Sequence, residues 1–203
     1  MMRRYNYLWE YIEKFNITSI MEIGTWNGDH ALTMIATVER LNSTKTVQYY
    51  GFDLFEDMTK ELFDYEFAKW PPTLLDVEER LSTTTADVEL IKGNSNITLP
   101  LFIEMNKNIH VDLIFIDGGH SVETMQSDWN NISKIIDDDT IVLCDDYLVH
   151  PDGTAPTWGS RQVIDNLDKL EWDIKILPNS DWLENWGMTT HIVEVRKKQG
   201  EIK

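Results

Sequence analysis

Val111-Asp112-Leu113-Ile114-Phe115-Ile116-Asp117-Gly118-Gly119-His120 is the stretch on which the fold turns. A strand with one wet face alternates apolar and polar residues, whereas Val111–Ile116 is apolar at every position but Asp112. Burial on both faces is what crossover helices produce when they cover a parallel sheet. The run ends at Asp117, two glycines supply a turn, and Ser121–Trp129 resumes with apolar residues at helical spacing. A buried strand, a polar turn at its carboxyl end and a helix make one β-α unit.

The same rhythm extends in both directions. Tyr5, Leu8, Trp9, Ile12 and Phe15 predict a helix over 5–15, and Ile17–Ile23 a strand. Asn27–Leu41, with Leu32, Ile35, Ala36 and Glu39 at helical spacing, predicts the next helix, and Val47–Phe52 a strand ending in Asp53. Asp87–Ile91 and Thr140–Cys144 are further β-rich runs, so the order is βαβαβ and the expected fold a doubly wound, Rossmann-like α/β sheet, mostly parallel. Trp172–Leu177 and Thr190–Val195 break the rhythm, being strand-like with no helix between them. They predict an antiparallel pair at one edge of the sheet, joined by a loop of about a dozen residues. Leu54 to about Ala86 exceeds the usual ~4–6-residue connection. It carries Phe55, Phe63, Tyr65, Phe67, Trp70, a Pro71-Pro72 breaker and a charged helical stretch at Asp76–Leu81. An insertion after a strand's carboxyl end sits where α/β proteins place substrate-contacting loops, although packing as a surface helix is the plainer alternative.

With 203 residues, 42% hydrophobic and 26% charged, residues 1–203 are expected to form one compact unit. Eighteen Lys+Arg against 35 Asp+Glu give a net charge of −17, which repels phosphate backbones and anionic lipid. The longest basic run is Arg196-Lys197-Lys198, so neither nucleic acid nor membrane is an expected partner. The one cysteine, Cys144, lies in an apolar run and reads as inert core, with no disulfide framework possible within the chain. The Met-Met-Arg-Arg start continues without the apolar stretch of a secretory signal, so a cytoplasmic location is expected and the Asn-x-Ser/Thr triplets at Asn16, Asn42, Asn96 and Asn131 read as chance. Eight tryptophans, Trp172, Trp182 and Trp186 among them, suit either a core or the interface of a homo-oligomer.

Four features carry chemistry. Glu22-Ile23-Gly24-Thr25-Trp26-Asn27-Gly28 lies between a strand and a helix, where glycines permit a tight turn and the helix N-terminus offers free N–H groups to a nucleotide-like cofactor. It lacks the third glycine of the dinucleotide fingerprint, which counts against a nicotinamide-dependent dehydrogenase. Asp53 ends the next strand 29 residues after Gly24, where an acid accepts both hydroxyls of a ribose or merely closes a turn. Asp117 and Asp145-Asp146 end strands expected to point at one sheet edge, so three carboxylates converge. They suit a hard ion such as Mg²⁺, or else cap helices and face solvent. His120 is placed to take a proton from a hydroxyl, to ligate a metal, or to cap the following helix.

In order and spacing these residues resemble the class I S-adenosylmethionine-dependent methyltransferases, and within them the metal-dependent O-methyltransferases of the macrocin O-methyltransferase type and their broader relatives. The shared pieces run from about residue 17 to 170: Glu22 to Gly28, Phe52-Asp53-Leu54-Phe55-Glu56, Gly93-Asn94-Ser95, the Ile116-Asp117-Gly118-Gly119-His120 turn, and Asp145-Asp146-Tyr147. The resemblance implies S-adenosylmethionine as cofactor. Gly24, Thr25 and Gly28 would cradle its methionine part, Glu22 would support that loop, Asp53 would bind ribose, and Asn94 and Ser95 would lie beside adenine. It also implies Mg²⁺, or another divalent cation, on Asp117, Asp145 and Asp146, with Asp117 bordering both cofactor and metal. A hydroxyl of a small acceptor, such as a sugar or a catechol-like ring, would be activated there. Relatives carry an acid two residues after the first metal-binding aspartate, whereas Gly119 stands there in this chain, leaving His120 as the substitute base. Two alternatives follow: metal-independent transfer with His120 as base, and a non-catalytic S-adenosylmethionine-binding or assembly protein. With few residues before the first strand, the 54–86 insertion and the Thr154–Arg161 stretch with Trp158 are expected to wall the acceptor pocket.

Overall fold

The computed structural model describes residues 3–42, 44, 46–66 and 69–199. Helices α1 (Asn6–Lys14), α2 (Asp29–Leu41), α3 (Lys60–Tyr65), α4 (Leu74–Leu81), α5 (Ser95–Met105), α6 (Val122–Ile132) and α7 (Arg161–Ile164) alternate with strands β1 (Ser19–Ile23), β2 (Gln48–Asp53), β3 (Asp87–Lys92), β4 (Leu113–Ile116), β5 (Ile141–Val149), β6 (Trp172–Leu183) and β7 (Met188–Lys197). The strands form one sheet in the order β3-β2-β1-β4-β5-β7-β6, with β1 to β5 parallel and β7 antiparallel to both β5 and β6. This is the mostly parallel α/β sheet with an antiparallel edge pair that the sequence predicts, and it is the class I methyltransferase fold.

The uninterrupted apolar run before Asp117 works as expected. Alternate residues of β4 enter opposite layers: Leu113 and Phe115 pack with α1, α2 and α4, while Ile114 and Ile116 pack with α5, α6 and α7. β1 is buried along its whole length for the same reason. Val111 and Asp112 precede β4 rather than opening it, and the Asp112 carboxylate accepts the Thr18 and Ser19 N–H groups where β1 begins. Cys144 is buried, and burial pushes its thiol pKa up, as befits core.

Two expectations need correction at the far edge. The β5 strand does not stop at Cys144 but runs on to Val149, with a bulge between Cys144 and Tyr147 that sets two residues, Asp145 and Asp146, opposite Ile192. The β6–β7 connection is a turn at 184–187, because β6 continues to Leu183 and β7 begins at Met188. A second irregularity in β6, between Ile176 and Ser180, takes in Pro178, which cannot donate to a ladder and so belongs at such a break. Within the 54–86 insertion, α4 carries a capping box between Thr73 and Asp76 directly after Pro71-Pro72. Phe67 lies outside the described residues. Among the described residues, no helix is long and apolar enough to cross a membrane.

Candidate active site

In open α/β sheets ligands bind at the carboxyl ends of the strands, where the strand order reverses. Here that point lies between β1 and β4, and a cleft of about 660 Å³ opens over it. The order β2-β1-β4-β5 sets Asp53, Gly24, Asp117 and Asp145-Asp146 along one edge. At ~4.8 Å per strand, Asp53 and Asp145 stand roughly 14 Å apart. The cleft therefore has two ends, one built around Asp53 and one around the acids.

At the first end, Gly24 has a φ of +95° and its N–H donates to the Phe52 carbonyl (2.8 Å), while Asp117 N–H donates to Ile23 O (2.8 Å). A side chain at Gly24 would strike the Asp117 backbone, so only glycine fits this crossing of the β1 and β4 loops. Gly28, at φ +74°, is the N-cap of α2 and packs against Val77, shaping the loop from beneath. Asp53 Oδ2 accepts Trp26 N–H (2.7 Å) and Oδ1 accepts Phe55 N–H (3.0 Å). Burial raises the Asp53 pKa against the pull of those backbone donors. Each oxygen keeps a second lone pair for a ligand hydroxyl. Thr25, Asn94 and Ser95 border the cleft, and Asn94 caps α5 by accepting Asn96 N–H (2.9 Å). Glu22 is fully buried under the loop, accepts the Tyr49 hydroxyl, and has its pKa pushed up by burial to about 8, so it is a neutral seat for the loop.

At the other end, ligand oxygens of Asp117, Asp145 and Asp146 lie within 4.8 Å of one another. Consecutive strand residues normally point to opposite faces, and the bulge, with Asp146 at φ +54°, is what brings the neighbouring Asp145 and Asp146 to one place. Asp145 is held by Arg4, from Nε to Oδ1 (2.7 Å) and Nη2 to Oδ2 (2.9 Å), and its Oδ2 also accepts the Tyr5 hydroxyl (2.8 Å). Asp146 Oδ2 pairs with His120 Nε2 (2.8 Å). Burial, then the charges of Asp145 and Asp146, hold the Asp117 pKa well above the carboxylate range. His30 Nδ1 lies 3.9 Å from Asp117, and burial lowers the His30 pKa, so it stands there neutral.

His120 is held on both sides. Its Nδ1 faces the Glu66 carbonyl and its Nε2 faces Asp146, so both nitrogens meet oxygen acceptors and neither offers a lone pair for a substrate proton. Burial opposes the charged form, yet the Asp146 bond and charge prevail and raise the His120 pKa to about 9. Because that lies above the unfolded value of ~6.5, the pair adds stability that is complete below about pH 6.5 and is lost as pH rises through about 9. Urea midpoints of the wild type and His120→Gln are expected to differ most at about pH 6 and to converge above about pH 9.5. Midpoints that stay equally separated across that range would show the ion pair to be absent.

The walls differ in part from expectation. The 54–86 insertion does contribute Met58, Leu62 and Lys69 to the lining. Thr154–Arg161 instead supports the acid end from behind: Gly159 N–H donates to His120 O (2.7 Å), Ser160 N–H to Asp146 O (3.1 Å), and Trp158 meets His120 and Trp186 edge-on. The other walls are the β6–β7 turn with Trp182 and Trp186, and Arg4 with Tyr5. Sequence reasoning missed both. Glu66 explains Gly119: its carboxylate accepts Ser121 N–H (2.7 Å) and the hydroxyls of Ser121 (2.8 Å) and Thr124 (2.6 Å) at the start of α6, and a Cβ at 119 would fall 2.8 Å from Glu66 Oε2.

The sequence family described as a methyltransferase domain matches residues 21–147, which span both ends of the cleft. No curated protein matches the chain in sequence. Among solved structures, the calicheamicin methyltransferase CalS11 superposes with TM-score 0.64 at 17% identity, over 92% of this chain and 76% of that one. The O-methyltransferase from Bacillus cereus in complex with SAH gives 0.64 at 16% identity, over 95% and 80%. An rRNA methylase from Streptococcus thermophilus gives 0.66 at 12% identity, over 98% and 99%. Structures so alike bear names of unrelated acceptors, so likeness of fold leaves the acceptor to be argued from the cleft.

Proposed function

The chain belongs to the methyltransferase-domain family and is a class I S-adenosylmethionine-dependent methyltransferase, and from that premise we propose that it methylates a hydroxyl of a small acceptor such as a sugar or a catechol-like ring. The observation that carries this reading is the two-ended cleft, with Asp53 at one end keeping lone pairs open to it and Asp117 beside Asp145 and Asp146 at the other. A charge of −17 speaks against a polyanionic acceptor.

Bound S-adenosylmethionine supplies an electrophilic methyl on a sulfonium. Gly24, Thr25 and the start of α2 would hold its amino-acid part, Asp53 would accept the ribose hydroxyls, and Asn94 and Ser95 would border the base. The aromatic rings of Tyr5, Trp182 and Trp186 give an acceptor ring or sugar face a surface to stack on and displace water from it. Asp117, in its ionised form, would take the hydroxyl proton as the oxygen attacks and become the neutral carboxyl, and the burial and neighbouring charges that raise its pKa make that carboxylate the stronger base. The His120 cation keeps Asp146 ionised beside it. The three carboxylates have the chemistry of a Mg²⁺ site, but Arg4 and Tyr5 already engage Asp145, and His120 engages Asp146. The acids as partnered do not fit a metal, and the proposed transfer uses the chain's own charges.

Calorimetric titration of S-adenosylmethionine, followed by methyl-transfer assays on small polyhydroxylated acceptors, tests the reading. Loss of hydrogen bonds from the charged Asp53 oxygens is expected to weaken binding by about tenfold or more in Asp53→Ala. Binding with no transfer to any acceptor would favour the non-catalytic alternative, and no binding would remove the assignment of both ends.

A further inference from the structure

Arg4 precedes α1, yet only 9% of it is exposed. Its guanidinium forks onto both oxygens of Asp145, donates to Asp181 Oδ2 on β6 (2.9 Å) and to the Tyr5 hydroxyl (2.7 Å), and lies 4.2 Å from the centre of the Tyr5 ring. Planar bidentate pairing with a carboxylate is what arginine does and an ammonium cannot. The Tyr5 hydroxyl, so fixed, lies 3.5 Å from Asp117 Oδ2. Mg²⁺ would need carboxylate oxygens at ~2.0–2.1 Å in near-octahedral array. Here those of Asp145 are engaged by N–H and O–H donors, and a second positive charge would sit against the guanidinium.

We propose that Arg4 is the resident cation of this acidic cluster: an intramolecular guanidinium occupies the position at which Asp117, Asp145 and Asp146 would otherwise gather a divalent ion. Arg4 is then a positioning residue for the acceptor end. It neutralises Asp145, ties the segment before α1 to β5 and β6, and directs the Tyr5 hydroxyl toward Asp117. Its place at an acceptor site rests on the methyltransferase reading, whereas the exclusion of metal does not.

Mn²⁺ alone, titrated into the full chain without cofactor or acceptor and followed by the electron paramagnetic resonance of the free ion, separates the two. The wild type is expected to show no saturable site. Arg4→Gln is expected to gain one, binding about tenfold or more tighter than the wild type, and Arg4→Gln with Asp145→Asn to lose it again. Saturable one-to-one binding by the wild type that Asp117→Asn abolishes overturns the proposal, and so does a folded Arg4→Gln that gains nothing. Should Arg4→Gln fail to fold, Arg4→Met, which keeps a buried stem without the charge, is read in the same way, and a folded Arg4→Met that gains no site overturns the proposal. If S-adenosylmethionine does not bind while these Mn²⁺ results hold, the functional reading fails and the assignment of Arg4 stands.

Discussion

Gly24→Ala is expected to abolish measurable S-adenosylmethionine binding. A Cβ built there falls 2.0 Å from the Asp117 carbonyl oxygen, 2.5 Å from its carbon and 2.7 Å from Gly118 Cα. All three are backbone atoms, so no side chain can swing aside. The loop after β1 and the loop after β4 would have to separate, moving Thr25 and Asp117 together and opening the junction of the two ends of the cleft. The φ of +95° adds strain of ~1–2 kcal/mol for any L side chain. Gly153→Ala isolates that second part, because Gly153 has φ +86° and open space around it. A loss of about a hundredfold or more in affinity for Gly24→Ala, with Gly153→Ala near wild type, is the expected calorimetric result. Near-wild-type binding by Gly24→Ala would mean that the cofactor does not use this crossing.

The largest loss of stability is expected from Asp145→Ala. Arg4 would remain buried with its forked partner gone and only Asp181 and Tyr5 left, and removal of one member of a buried pair costs ~3–5 kcal/mol. Exposed pairs are worth ~0–1 kcal/mol. Lys60–Asp64 is such a pair on the surface and serves as the control through Asp64→Ala. Urea unfolding of the two variants should separate them clearly. An Asp145→Ala cost in the surface range would mean that Arg4 finds water when its partner is removed. Replacing Arg4 and Asp145 together by apolar residues should recover much of the loss, since no lone charge is then left buried.

Most of the sheet was legible because burial on both faces leaves a plain mark. Ile20 and Met21, or Phe115 and Ile116, are neighbours that serve opposite layers, and such strands read as unbroken apolar runs. Asp53 and the Gly24 turn were legible because a strand end and a tight turn are local. What could not be read depends on partners distant in the chain. Asp145 and Asp146 converge only because β5 bulges against β7, and nothing between residues 140 and 149 announces that pairing. Arg4 meets Asp145 across 141 residues of sequence, although the crowding of three acids was itself a reason to look for an internal cation. The sequence predicts a loop of about a dozen residues where Trp182 lies near the end of a strand and Trp186 sits in a turn, because Pro178 and polar residues obscure the second half of β6.

The bulge in β5 also counts parity. Ile141 and Leu143 enter the layer with α1 and α2, and Val142 and Cys144 the layer with α5 and α6. Beyond it, the odd-numbered Tyr147 and Val149 belong with the even-numbered pair. Deleting either aspartate would therefore do more than remove one carboxylate: it would take out the extra residue, leaving a regularly pleated strand that keeps Tyr147 and Val149 on their present side, whereas straightening the bulge with both aspartates in place would turn them to the opposite side of the sheet. Substitution and deletion at this spot are different experiments, and a lineage can change the charge of the site one residue at a time while its length stays fixed.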